Sequence, residues 1–317
     1  MIKKQEIKRV IKQLLFFFKQ LLSFFYKAFL TLKIVKPKII VRMDGGISSQ
    51  MHQYLLGRIF SEKGYNVTYE LSFYKKWAKD NNGRFERNFD LLKAFPYLEF
   101  KQSSKIDSMV YPISFADRSI FYDHDNEDLF LYDLKPPKLL GGYYRIPNEV
   151  WKNLFPNYFR IDPLILDKNS YSLYTEIKGN KHTVGVHVRR GDLKVFNDAY
   201  GAPAGFDYFC KAISYFCSKI EKPFFYFFSD EPQWIEDELI GKLPPLNAQY
   251  KIVTGNGSDK GYMDLFLLAS CEHQITSKGS FGKLGALLSK SEDKIVILCD
   301  DSIEHAWKNI LINPIFL

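Results

Sequence analysis

The rhythm of apolar and polar positions divides the chain before any motif is considered. Over residues 1–36 the period is helical. At about 100° per residue, Lys4, Lys8, Arg9, Lys12, Lys19, Lys27 and Lys33 share one sector roughly 140° wide. Phe17, Phe18, Leu21, Phe24, Phe25, Ala28, Phe29 and Leu32 lie opposite. The pattern predicts an amphipathic helix ended by Pro37. Ile39–Met43 then reads as a buried strand, Asp44–Ser49 as a loop, Gln50–Lys63 as a helix and Val67–Glu70 as a second strand. Residues 71–170 mix aromatics, acidic clusters and prolines and read as helices and long loops. Beyond them, strand-like runs at Thr183–Val188, Phe224–Phe228, Tyr250–Val253, Gln274–Thr276 and Ile295–Cys299 alternate with helix-like stretches. Those stretches lie near Asp207–Ile220, Trp234–Ile240, Lys260–Cys271, Phe281–Leu288 and Ile303–Ile310. Strict alternation predicts an α/β fold, its parallel sheet covered on both faces and its ligands bound at the strands' carboxyl ends.

Length and composition fit two α/β halves. The chain has 317 residues, 46% of them hydrophobic and 16% aromatic, ample for a sizeable core. Its formal charge of +8 resembles a nucleic-acid signal until it is located. Residues 1–36 hold nine basic groups against Glu6 alone, so this segment carries the whole excess. The body is neutral, which argues against a nucleic-acid partner. Cys210, Cys217, Cys271 and Cys299 show no paired spacing, which excludes a disulfide scaffold and a cysteine zinc site and fits a reducing cytoplasm. The longest charge-free stretch in residues 1–36 falls short of the about 20 apolar residues of a membrane span. The segment is expected to lie in an anionic membrane interface, or else to pack on the body or on a partner.

The chemistry-bearing residues follow strands. His187-Val188-Arg189-Arg190-Gly191-Asp192 ends one strand. Adjacent guanidinium forks there suit a dianion, Gly191 permits a sharp turn, and His187 points to the same side as Arg189. The alternative is a surface cluster in which Asp192 pairs with an arginine. Gly279-Ser280-Phe281-Gly282 joins a strand to a helix, where backbone N–H groups and the Ser280 hydroxyl can hold an anion. Asp264 stands early in a helix; its carboxylate can accept two N–H bonds from a guanine edge or simply favour the helix dipole. Ser229-Asp230-Glu231-Pro232 reads as a helix cap. Asp123-His124-Asp125 has the spacing of a metal-holding pair but follows no clear strand and reads as a solvated loop. No HExxH, Walker A or GxSxG is present.

These segments resemble the bacterial α-1,2-fucosyltransferase family. Val184–Asp192 is similar to its H-x-R-R-G-D motif, and Gly45–Tyr54 to its G-G-L-G-N-Q-M-F-Q-Y segment. Phe227–Trp234 is similar to F-S-D-D-x-x-W, and Asp264-Leu265 through Phe281 to its D-L…N-S-T-F-S-W-W element. The resemblance implies a GT-B fold of two Rossmann-like domains, 38–180 on the acceptor side and 181–317 binding the GDP-sugar, preceded by the helix 1–36. It implies inverting, metal-free transfer from GDP-fucose, the expected acceptor being a hydroxyl of a galactose-containing glycan or lipid-linked precursor; with the segment 1–36 in the membrane interface, the expected place is the cytoplasmic face of the cell membrane. Arg189 would neutralise the leaving diphosphate, with Arg190 beside it; His187 and Asp264 would recognise the nucleoside; Ser280 and Phe281 would contact phosphate. Gly45, Gly46 and Gln50 would face the donor, and His52 the acceptor. Asp192 is either the general base or an orienting partner of Arg189. Where the family has N-S-T-F-S-W-W the chain runs Ser277–Lys283, and Lys283 could add charge at the phosphate. The departures at Ser48-Ser49 and here leave room for another GDP-sugar, or for an inactive binding protein.

Overall fold

The computed structural model describes residues 2–76, 78–80, 85–114, 116–117, 134–142, 144, 146–195, 201–245, 248–257 and 259–317. Asp123 and Asp125 lie outside these residues. The N-terminal helix α1, Ile2–Thr31, runs unbroken past its lysines. It stops before Pro37. Lys33 turns left-handed (φ +59°), Lys33 N–H donates to Leu30 O and Ile34 N–H to Phe29 O, closing the helix as a Schellman turn.

Contacts divide the chain into two units, one of residues 1–44, 49–78 and 99–150, the other of 45–48, 79–98 and 151–317. This division differs from a cut near residue 180, and it places the N-terminal helix within the first unit. That unit's strands are β1 (Lys38–Arg42), β2 (Asn66–Glu70), β3 (Ala116–Asp117) and β4 (Lys138–Leu140). They form a parallel sheet in the order β2-β1-β4-β3, with α2, Ile47–Glu62, joining the first two. The helix α3, Lys105–Ser114, receives the end of α1: Leu22, Tyr26 and Leu30 pack on Ile40, Val110, Tyr111 and Leu139. The Tyr26 and Tyr111 hydroxyls meet at 2.9 Å. Glu6–Thr31 is long and apolar enough to cross a membrane by length and composition, yet part of its length is docked on its own domain.

The second unit contains α4 (Lys168–Gly179), β5 (Thr183–Val188), α5 (Phe206–Lys219), β6 (Phe224–Ser229) and β7 (Gln249–Val253). It continues with α6 (Gly261–Ser270), β8 (His273–Thr276), α7 (Ser280–Leu288), β9 (Val296–Leu298) and β10 (Ile315–Phe316). All six strands are parallel, in the order β10-β9-β8-β5-β6-β7. One face packs Val184, Val186 and Val188 against Phe209, Ile213 and Phe216 of α5. The other packs Tyr226, Phe228 and Val253 against Leu267 and Leu268 of α6 and Ile177 of α4. Near-continuous apolar strands are what burial on both faces demands. The stretch expected to be a helix at Ile303–Ile310 forms only a short 3-10 turn, Glu304–Trp307, and β10 had no legible pattern.

Candidate active site

In chain order the six strands lie as 6-5-4-1-2-3, so the winding reverses between β5 and β8. Ligands of open α/β sheets bind at such a reversal, beyond the carboxyl ends of the two strands. Here those ends lead directly into Arg189–Asp192 and Ser277–Ser280. The sequence order alone therefore brings both loops to one crevice.

The Ser277 side chain stitches them together. Its Oγ accepts the Arg189 N–H at 2.9 Å and lies 3.1 Å from His187 Nδ1, while Ser277 N–H donates to His187 O. His187 is buried and stacks on Phe281, ring centroids 5.1 Å apart. Burial, with the nearby Lys283 and Arg189 charges, lowers its pKa to about 3, so it stands neutral. Gly282 permits this stack, because a Cβ there would lie 3.0 Å from His187 Nδ1.

Arg189 turns its fork onto Asp192, Nε donating to Oδ1 at 2.8 Å and Nη2 to Oδ2 at 2.7 Å. Arg87 approaches the same carboxylate at 3.6 Å. Burial would raise the Asp192 pKa, but hydrogen bonds from Arg189 and the two guanidinium charges hold it below the ordinary carboxylate value. The remaining nitrogen, Nη1, rests against Gly279, whose φ of +87° and lack of a Cβ are both required: a side chain there would collide with Nη1. The arginine is thus aimed along the turn that starts α7.

Arg190 diverges. Its guanidinium lies 3.8 Å from the Trp234 ring centroid, Nη1 donates to Ala204 O at 3.2 Å, and Glu231 stands 3.4 Å from Nε. Its backbone matters instead, because Asp230 accepts the Arg190 and Gly191 N–H groups on its two oxygens, both at 3.0 Å. Asp230, expected within a helix cap, is therefore the clamp that shapes the Arg-Arg-Gly turn. The helix after it has no side-chain cap; Ser229 Oγ accepts the Glu231 N–H.

Asp264 is in the first turn of α6, which packs on α7 where Gly285 meets Leu268. Both helices begin at the carboxyl edge of the sheet, so Asp264 and Ser280 stand at neighbouring N-termini. Burial raises the Asp264 pKa to about 6, opposed by the bond from Asn256 Nδ2 at 2.7 Å. Lys283 corrects an expectation. It is fully buried, donates to Ser277 O at 2.6 Å and Gly279 O at 2.8 Å, and pairs with Glu304, so its ammonium offers nothing directly to a ligand.

The remaining candidates belong to the loop and helix after β1. Gly45 adopts φ +70°, and the loop is braced by Gln53, which donates to Asp44 Oδ1 at 2.6 Å and accepts the Asp44 N–H at 3.0 Å. Gln50 is fully buried. His52 Nε2 lies 2.6 Å from Tyr144 O, and burial lowers its pKa to about 4, leaving a neutral ring that donates to that carbonyl.

Comparison with known proteins follows the same residues. Residues 167–309 match the sequence profile of glycosyl transferase family 11. The O-antigen biosynthesis glycosyltransferase WbnK of Escherichia coli is 24% identical over 283 residues, 80% of this chain and 91% of that protein. Galactoside alpha-(1,2)-fucosyltransferase 1 of Saimiri sciureus is 32% identical over 109 residues, 33% of this chain and 28% of the relative. Among solved structures, POFUT1 in complex with GDP aligns over 84% of this chain and 99% of its own, with a TM-score of 0.45 and 11% identity. The sequence matches mark a distant relation to the glycosyltransferase and fucosyltransferase superfamily.

Proposed function

We propose that the chain is an inverting GT-B glycosyltransferase that moves L-fucose from GDP-fucose to a glycan hydroxyl, O-2 of a galactose being the favoured acceptor atom. The observation carrying this reading is the Arg189 fork lying against Gly279 at the strand-order reversal, inside the region that matches family 11. As the bond to the sugar breaks, negative charge grows on the leaving diphosphate. Arg189 and the N–H groups at the start of α7 meet that charge already oriented, the largest contribution such a site can make. An acceptor hydroxyl then attacks from the opposite face of the sugar. Asp192 fits the orienting role better than the base: a carboxylate gripped by two guanidiniums, its pKa held low, is a weak proton acceptor. Asp264 would take the guanine edge and Ser280 the phosphate, with no divalent metal required.

The same reading places the protein peripherally on the inner face of the cell membrane, through α1. Residues Ile2–Leu21 precede the docked part and span about 30 Å, matching the ~30 Å hydrocarbon core in length only. They carry Lys3, Lys4, Glu6, Lys8, Arg9, Lys12 and Lys19, which disfavours spanning. By helical geometry Lys8, Lys12 and Lys19 share the face of docked Tyr26, while Phe17, Leu21 and Phe24 point away from it and stand exposed. An aromatic face turned away from the body, with the lysines on the opposite side of the same helix, suits an anionic interface.

A donor screen tests the reading: release of sugar from GDP-fucose, other GDP-sugars and UDP-sugars, alongside thermal shifts with GDP, UDP and ADP. Preference for GDP and for GDP-fucose is expected. Equal shifts from GDP and UDP would remove the guanine assignment, and turnover of a UDP-sugar alone would overturn the function.

A further inference from the structure

Beneath the turn after β8 sits an ion pair withdrawn from solvent, Lys283 at 0% exposure and Glu304 at 1%. Burying two charges is costly unless their geometry and hydrogen bonds are nearly complete. Here the ammonium also takes Ser277 O and Gly279 O, while Glu304 Oε1 accepts the Gly279 N–H at 3.2 Å. Glu304 is itself fixed, because Asp301 Oδ1 accepts the Ile303 and Glu304 N–H groups. Asp301 also pairs with Lys278 at 3.0 Å.

In a trans peptide the N–H points opposite to the C=O. Drawing the Ser277 and Gly279 carbonyls onto Lys283 therefore turns the Lys278 and Ser280 N–H groups away from it. Both belong to the turn on which Arg189 Nη1 rests. We propose that Lys283 and Glu304 are positioning residues for the diphosphate: the buried pair holds Ser277–Ser280 in the one conformation that presents the Lys278 and Ser280 backbone donors beside Arg189. The ammonium never touches the ligand. It acts by holding two carbonyls inward, and the carboxylate by holding the intervening N–H. This rests on the reading of the crevice as a nucleoside-diphosphate site.

The test separates stability from binding. In the full chain, Lys283→Met with Glu304→Gln replaces the pair by neutral side chains of similar shape, which removes two buried charges but leaves the Ser277 and Gly279 carbonyls without their donor. The melting temperature is expected to fall modestly, and binding is compared at a temperature where both proteins are folded. GDP affinity, measured by titration calorimetry, should fall about tenfold, the worth of one charge-assisted hydrogen bond, while guanosine affinity is unchanged. A GDP-to-guanosine affinity ratio equal to the parent's in the folded variant overturns the positioning role. If the double variant does not fold, Glu304→Gln alone is read by the same ratio, with a smaller fall expected and no change again decisive. A parent chain that binds no GDP instead overturns the site reading, and the inference with it.

Discussion

At the scale of single residues, two readings of Arg189 can be told apart: its bidentate grip on Asp192 fits a structural ion pair, and its position against Gly279 fits the proposed contact with a leaving diphosphate. If it stabilises the leaving diphosphate, Arg189→Ala folds normally and loses about 10²–10³-fold in turnover. Arg189→Lys stays impaired, because an ammonium cannot both hold Asp192 bidentately and face the turn. If it only pairs with Asp192, Arg189→Ala leaves a mostly buried carboxylate short of its partner, so the melting temperature falls while turnover is spared. Turnover and melting temperature on both variants decide. Asp264 gives a pH prediction. Its pKa rises from 3.8 to about 6 on folding, so the folded protein binds more protons between those values. That burial therefore lowers stability progressively as pH climbs through the window, with no further change above it. A guanine that needs the carboxylate ionised must release this proton, so GDP affinity should increase from pH 5 to 6 and level off above about 7. Calorimetry across this range should show the slope in the parent and lose it in Asp264→Asn; a flat profile in the parent would sink the guanine contact. Arg189, His187 and Asp192 were legible because a strand's end and a local i,i+3 spacing announce them. Asp230 and Ser277 were not, being 40 and 88 residues from the backbone groups they hold, and Arg87 reaches the site from a segment without a readable period.

At the scale of elements, strands of the second unit were readable almost to the residue, since burial on both faces leaves apolar runs flanked by turns. The two-residue β10 was not, because its partner β9 and not its own pattern defines it. The helix α1 was readable as amphipathic, but its period could not reveal that Leu22, Tyr26 and Leu30 dock on a sheet formed much later in the chain. That docking changes how the membrane role must be tested. Removing residues 1–36 would uncover Ile40, Val110, Tyr111 and Leu139 and strip the Tyr26–Tyr111 contact, so the melting temperature should fall. Removing residues 1–20 spares the docked part. This shorter truncation should fold like the parent, keep GDP binding, and lose most affinity for vesicles containing phosphatidylglycerol, as judged by sedimentation. Vesicle binding that survives the truncation, or that ignores a rise in salt, would place the contact elsewhere.

At the scale of the whole molecule, charge is unevenly placed, since the excess of +8 belongs to residues 1–36 and the remainder is balanced. At the reversal of β5 and β8, Arg189 and Arg87 meet Asp192, while Asp230 and Glu231 hold the adjoining turn. A diphosphate leaving group needs its growing charge met by something, and transferases do this either with a divalent ion or with fixed protein donors. On the function proposed here the donors are fixed ones, with Asp192 holding the guanidinium and Lys283 with Glu304 holding the backbone turn. Transfer should therefore proceed in EDTA at a rate within about twofold of that in magnesium or manganese, since a metal would add only to charge already stabilised. The measurement is sugar transfer, or donor hydrolysis, in chelator and then with each ion restored. Full loss in EDTA with recovery in manganese would show that a metal carries the diphosphate's charge. Asp123 and Asp125 would then be the first residues to replace, and Arg189→Ala should be re-examined with manganese present. Persistence of transfer in EDTA together with its collapse in Arg189→Ala is the paired result that only the arginine-centred site produces.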